Sequence, residues 1–383
     1  MPLCRRITPK TKFHWFGYYD KLQFDPSSRY ALGMQVAFEH RSPTPEDKIR
    51  IGMVDLKDND RWTELGESGA WCWQQGCMLQ WLPRSRDEVI YNDREKGELV
   101  SRILNVRSGK RRTLPGPVYC VSPDARFALV CDFPRLNHQR PGYGYAFPDP
   151  YKEIPAPKES GIWRMDLRTG KREMIISLAQ AAAFPYKIGD WGPGSIHRFN
   201  HLLYSPSGHR FIFLHRRNGG SNPEAGRTRM FTAKPDGSDL YVLDPYGDTS
   251  HFIWRRDTHV MAWARHPSHG AKFYIYQDKT ENVDVIAPDV MPVNGHNTYL
   301  PGWRWILNDT YPDKERLQHP YLYDTETKRR HPLGRFLSPK EYTGEWRCDT
   351  HPRSSPDGKL VCIDSPHEGG RQMYLFDIRE IVG

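Results

Sequence analysis

Four histidines occupy one register in four successive stretches of this chain. His201, His251, His296 and His351 each stand four residues ahead of the position where a tight turn begins, as in HLLYSPSG from 201 and HPRSSPDG from 351. With 16 histidines among 383 residues, chance is a poor account of four in register. A neutral imidazole moves protons near neutral pH and is a nitrogen ligand for manganese, iron, nickel or zinc. Oxygen donors lie close by in sequence: Asp349 two residues before His351, and Asn297 next to His296. Four imidazoles on a four-coordinate ion would leave no open position for chemistry. The group is therefore expected to divide, with two or three of His251, His296 and His351, together with the carboxylate of Asp349, as metal ligands and His201 as a proton-transfer group. Arg198, three residues ahead of His201, adds a cation that could bind a carboxylate or act as base. Tyr18 and Tyr19, ahead of the first turn, add phenols for proton transfer.

Such a register needs repeated elements to carry it, and the chain supplies them. A strand, an S-P-D-G-like turn and a second strand recur seven times: LQFDPSSRYALG from 22, LQWLPRSRDEVIYN from 79, YCVSPDARFALVC from 119, LLYSPSGHRFIFL from 202, FIWRRDTHVMAWA from 252, NTYLPGWRWILND from 297 and PRSSPDGKLVCID from 352. After each comes a strand of apolar residues closing on a polar turn, as in IGMVDLKDND, GIWRMDLRTGK and PYLYDTETK. Short strands at a period of roughly 40 to 55 residues predict an all-β fold, a seven-bladed β-propeller with four-stranded antiparallel blades. The first strand of each pair is the candidate innermost strand, which would set the histidines at one depth. Lys21, Met78 and Val118 fill the equivalent places in the first three repeats. The reading gives a single domain over 1–383, with loop insertions at about 133–200, where RPGYGYAFPDPYKEIPAP is rich in Pro, Gly and Tyr. Only SLAQAAAF, from 177, reads as helix.

Composition narrows the partners. The formal charge is +9, which favours an anionic ligand. The basic residues are dispersed, with no Lys/Arg-rich tract or zinc-finger spacing, so nucleic acid is not expected and an acidic carbohydrate or small polyanion is. Seven cysteines without a CxxC pair argue against a disulfide framework or a thiolate zinc site. No apolar run approaches the roughly 18 residues of a membrane helix. The first residues, MPLCRRITPKTKFHW, lack an apolar signal region, so the expected location is cytoplasmic, or periplasmic or secreted if a leader has been removed. GPGS at 192 lacks the lysine of a nucleotide-binding loop.

DTHPRSSPDGK with the following HEGGRQMYLFD, and FNHLLYSPSGHRFIFLHRR with RTRMFTAKPDG, resemble blades of the seven-bladed propeller polysaccharide lyases typified by oligogalacturonate lyase. Propeller lyases of ulvan and of rhamnosyl-glucuronate ends are close rivals. The resemblance implies β-elimination of a uronic-acid-containing glycan, with manganese as the foremost cofactor and zinc or calcium as alternatives. In that family histidines of neighbouring blades and a glutamine hold the ion. His251 and His351 match ligand positions, whereas Trp346 stands in the glutamine place and Asp349 in that of the middle histidine; His296 is the third imidazole available to stand in. Elimination needs the uronate carboxylate neutralised, a base at C5 and an acid at the leaving oxygen. Residues expected to contact such a substrate are His14, Gln75 in CWQQGC, Arg217 and Arg229 at a rim, and His367 and Arg371 in HEGGRQ. A non-catalytic TolB-like binding propeller is the alternative. A glycoside hydrolase would need paired carboxylates, for which only Asp20 and Asp349 are obvious.

Overall fold

Seven four-stranded antiparallel sheets make up the fold, a seven-bladed β-propeller, in a computed structural model that describes residues 1–383, the side chain of Pro223 excepted. The S-P-D-G signature works through its serine. In blade seven, Ser355 and Leu360 pair their backbones across the turn, the Ser355 hydroxyl accepts the Leu360 N–H at 3.0 Å, and Gly358 turns the chain at φ 70°. Ser122 does the same for Phe127 at 2.9 Å, and in blade one the carboxylate of Asp25 replaces the serine, accepting from the N–H groups of Arg29 and Tyr30. Side chains that satisfy turn donors in this way mark where strands must stop. The acidic or amide residue closing the third strand has the same function: Asn105, Asp166 and Asp324 each accept N–H groups of the turn that follows.

By Cα packing the chain divides into two compact units, residues 1–117 with 295–383, and residues 118–294. The first contains blades one (Phe13–Trp15, Tyr30–Val36, Ile49–Asp55, Arg61–Ser68), two (Gln80–Trp81, Glu88–Glu95, Glu98–Asn105, Arg111–Leu114), six (Thr298–Tyr299, Trp305–Asn308, Tyr321–Asp324, Arg330–Pro332) and seven. Blade seven takes three strands from the carboxyl end, Arg353–Ser354, Leu360–Ser365 and Gln372–Asp377, and its fourth from the amino end. Cys4–Arg6 pairs antiparallel with Gln372–Asp377, setting Cys4 opposite Phe376. The core of this unit is aromatic: Trp15 packs tilted against Trp71 and Trp73, at 5.8 and 5.5 Å between ring centroids.

The second unit contains blades three (Cys120–Val121, Phe127–Val130, Gly161–Asp166, Arg172–Ser177), four (Ile196–Tyr204, Phe211–Asn218, Thr228–Ala233, Tyr241–Gly247) and five (Phe252–Arg256, His259–His266, Gly270–Gln277, Val283–Val285). The expected insertion at 133–200 therefore includes the outer strands of blade three as well as loop. It also holds two helices, the expected Leu178–Ala183, capped by Ser177, and Phe133–Gln139, which sequence reading passed over. The latter starts with Asp132 as cap and Pro134 in its first turn, signals too short to stand out within a proline-rich stretch. Its buried Arg135 donates to the carbonyls of Tyr151, Ile154, Pro155 and His197, so one guanidinium ties the insertion to blade four. Among the described residues no helix is long and apolar enough to cross a membrane.

Candidate metal centre

In the first unit the residues before the turns of blades six and seven converge. The rings of His296 and His351 meet edge to face at 4.2 Å between centroids. Asp349 approaches both, its Oδ2 3.9 Å from Nε2 of His351 and 4.0 Å from Nε2 of His296. One ligand atom from each of the three falls within 4.8 Å of the others, and all three side chains are buried. Tyr18 stands edge-on to His351 at 5.0 Å, and Tyr19 lies 5.5 Å from His296. The structure thus brings together five of the residues expected at the site: Tyr18, Tyr19, His296, Asp349 and His351.

The backbone explains how they are held. His351 has φ 39°, a left-handed conformation that a residue with a Cβ adopts only where its surroundings over-determine it. The same register is left-handed at His201 and Met78. Arg353, two residues on, fixes this kink: one guanidinium nitrogen donates to the His351 carbonyl at 2.5 Å while another pairs with Asp364 at 2.9 Å. Asp364 also accepts the N–H groups of Phe16 and Gly17, so a single buried ion pair secures both the tyrosine loop and the histidine turn. Burial lowers the Arg353 pKa, but the charge of Asp364 and the hydrogen bonds to it outweigh burial and hold the group above its ordinary value. Gly17, at φ 109°, runs so close to the backbone of Gln75 that a Cβ there would crowd it.

Three groups at this site escaped the sequence reading. Asp309 accepts from Nδ1 of His296 at 2.9 Å; burial pushes its carboxyl up, yet His296 and the hydrogen bonds to it leave the group below the usual carboxylate range. Tyr311 lies 5.4 Å from His296, and Arg347 donates from Nε to Asp349 at 2.7 Å. Asp309 and Tyr311 follow the second strand of blade six, in LNDTYP, a place the turn alignment does not probe; the signal available was an acidic residue just past an apolar strand. Asp20 forms a buried pair with Lys21 at 2.9 Å, so one of the two carboxylates considered for glycoside hydrolysis is already matched by a cation.

The remaining candidates have other surroundings. In the second unit, Nδ1 of His251 lies 3.1 Å from the amide oxygen of Asn294, and the His201 ring stacks on Phe252 at 3.9 Å while the His201 backbone N–H donates to the Tyr119 hydroxyl. Arg198 is 5% exposed; it donates to Asn218 at 2.9 Å, and its Nε is buried with no hydrogen-bond acceptor. Burial, reinforced by Arg216, Arg140 and Arg135, lowers the Arg198 pKa to about 9. Arg217 and Arg229, expected at a rim, are buried instead. Arg217 donates to the carbonyls of Gly219, Asn222 and Gly226, and Arg229 to those of Ala181, Phe184 and Pro185 and to His215. Both knit loops to blade four, because a chain turning without regular structure leaves carbonyls that need donors. In the first unit, Arg371 is buried against Glu39 and over the Trp73 ring, and His14 bridges the Lys12 carbonyl and Gln35. His367 bonds Ser365 and packs on Tyr374, and Gln75 is buried beside Gly17.

No family model matches the chain, and no curated protein matches it. Solved structures do. Oligogalacturonate lyase from Vibrio parahaemolyticus superposes with a TM-score of 0.69 at 14% identity, covering 98% of this chain and 94% of that one. In fold, the chain is similar to oligogalacturonate lyase. A second structure of oligogalacturonate lyase, in complex with manganese, gives 0.68 at 15% identity over 98% and 93%. The β-propeller domain of the Trilobed protease from Pyrococcus furiosus gives 0.55 at 11% over 95% and 96%, so the architecture extends to unrelated activities.

Proposed function

We propose that this protein is a lyase that cleaves uronic-acid-containing oligosaccharides by β-elimination, with a divalent metal held by His296, His351 and Asp349. The observation that carries this reading is that buried trio, set against two tyrosines on a fold shared with a lyase solved in complex with manganese. Two imidazoles and a carboxylate are a mixed nitrogen and oxygen donor set, which suits manganese, iron or zinc better than calcium. When bound, the ion would supply positive charge to neutralise the uronate carboxylate and stabilise the enolate-like charge that develops as C5 loses its proton.

The chain's own groups would do the rest. Tyr18 and Tyr19 present phenols beside the two histidines and are assigned to proton transfer at C5 or at the leaving oxygen. In the second unit, His201 is the other proton-transfer candidate, and Arg198, with a buried Nε lacking an acceptor, is assigned to the substrate carboxylate. An acidic glycan also accounts for the net charge of +9. A second reading rests on Arg347, whose guanidinium already sits on Asp349 and could neutralise a carboxylate without any metal.

The test is the ultraviolet absorbance of the unsaturated uronide product, followed on oligogalacturonate, ulvan and rhamnosyl-glucuronan with and without chelator. A rise lost on chelation, restored by manganese and absent in His351→Ala is expected. A rise indifferent to chelator would transfer the chemistry to arginine and tyrosine. No rise on any of the three would overturn the lyase reading in favour of a binding propeller.

A further inference from the structure

We propose that Asp309 is the positioning residue of this centre: it locks His296 as the tautomer protonated at Nδ1 and so aims the Nε2 lone pair at the space shared with Asp349 and His351. The inference rests on the metal-centre reading above and concerns what makes His296 competent as a ligand.

A carboxylate only accepts hydrogen bonds, so an imidazole nitrogen within hydrogen-bond distance of one must carry the proton. Nδ1 of His296 lies 2.9 Å from Oδ1 and 3.0 Å from Oδ2 of Asp309, and the backbone N–H of the same histidine donates to Oδ1 at 2.7 Å. With the proton on Nδ1, a neutral imidazole has its lone pair on Nε2. That atom faces Asp349 Oδ2 at 4.0 Å, beyond the reach of a direct hydrogen bond and within the spread of a ligand group. The remaining capacity of Asp309 is filled by the hydroxyl of Thr350, at 2.5 Å from Oδ2. Thr350 sits between Asp349 and His351, so one fully buried carboxylate couples the segment bearing His296 to the segment bearing the other two candidate ligands. The fit is close: a Cβ on Gly295 would overlap the carbonyl of Asp309 and the side chain of Asn308, so the chain can bring His296 onto the carboxylate only with glycine in that place.

A merely structural tie would make the same hydrogen bonds, so the test needs readouts that separate the two. The first is the tautomer of His296 in metal-free protein, read from the nitrogen-15 shifts of its ring. The second is manganese affinity by titration, and the third is the thermal midpoint without metal. Wild-type protein is expected to show Nδ1–H at His296. Asp309→Asn keeps shape and acceptor oxygen but loses the charge; it should populate the other tautomer and weaken manganese binding about 10- to 100-fold, the range seen when a partner behind a ligand is lost. Its metal-free midpoint should stay near wild type. Thr350→Ala, which leaves the carboxylate in place, should retain Nδ1–H and weaken binding by a smaller factor; it also serves if the first variant does not fold. An Nε2–H tautomer in wild type overturns the proposal, as does an Asp309→Asn protein that loses stability yet binds manganese as wild type does. Nδ1–H in a wild-type protein that takes up no manganese would instead overturn the metal reading, and with it the role claimed for the tautomer.

Discussion

Each unit buries two histidines against one another, in opposite electrical surroundings. His296 and His351 meet at 4.2 Å amid the carboxylates Asp309 and Asp349. His197 and His215, facing each other across two strands of blade four, are joined Nδ1 to Nε2 at 2.9 Å; Arg229 donates to the far side of His215, and Trp191 packs over both rings. Burial and the neighbouring arginines push His197 down to about 4 and His215 well below its ordinary value. Arg229 supplies a proton to Nδ1 of His215, so His215 must donate from Nε2 to His197: both rings are neutral and their facing nitrogens are spent on each other. The same side chain is thus a candidate cation ligand in one unit and a structural link in the other. What decides between them is the sign of the nearest charge.

Manganese binding should break the symmetry most sharply. His296→Ala or His351→Ala is expected to weaken manganese binding by more than about 100-fold, since each removes a proposed direct ligand, whereas His215→Gln should leave affinity within about threefold of wild type. Calorimetric titration of the three variants decides it. Equal losses in all three would mean that the arginine-lined pair also serves the ion.

Substrate handling comes next. Arg198 belongs to the cationic unit, and among the groups that shift it only arginines appear. Loss of a charge-assisted contact to a carboxylate is worth about 2 to 3 kcal/mol, or roughly 100-fold. Arg198→Ala should therefore lower kcat/KM on an acidic oligosaccharide by about that factor while manganese affinity is unchanged. A loss confined to metal binding would reverse the assignment of the two units.

Acid should find the neutral pair before it damages the strands around it. A histidine held down in the folded state contributes stability that is complete above its unfolded value of 6.5 and is lost as pH falls toward its folded value. For His197, held near 4, the contribution is on the order of 3 kcal/mol, lost between pH 6.5 and 4. Asp244, raised to about 6 by burial, works the other way, since protonation favours its folded form. In an Asp244→Asn background the unfolding midpoint should therefore fall more steeply on acidification than in wild type, and His215→Gln should flatten that fall. A midpoint independent of pH across this window would show that the pair is not buried neutral.

These contrasts also mark what the amino-acid order could reveal. Turn chemistry is local, so the seven S-P-D-G-like turns and the strands flanking them were legible, as was the register bearing His296 and His351. Blade seven's fourth strand was not, because Cys4–Arg6 pairs with residues some 370 positions away and three residues carry no periodicity. Nor were the roles of Arg217 and Arg229: a basic residue beside a glycine-rich loop reads as a rim cation, whereas the loop's unpaired carbonyls draw the guanidinium inward. Asp309 and Arg347 were missed for a related reason. Both act on a histidine or a carboxylate through space, and neither lies at the aligned turn position.

Arg347 supplies the finest test of the rule that the nearest charge decides. Its Nε donates to Oδ2 of Asp349, the oxygen that also faces both histidines, so a cation stands where the carboxylate would otherwise attract a metal ion. The contact orients Asp349 but offsets its charge. If the offset dominates, Arg347→Gln, which keeps a donor and removes the charge, should raise manganese affinity about 3- to 10-fold, an effect that shrinks in salt because the guanidinium is partly exposed. If orientation dominates, affinity falls instead and salt matters little, and Arg347 then joins Asp309 as a group that aims a ligand. Titration of this one variant at low and high ionic strength separates charge from geometry at a single oxygen atom.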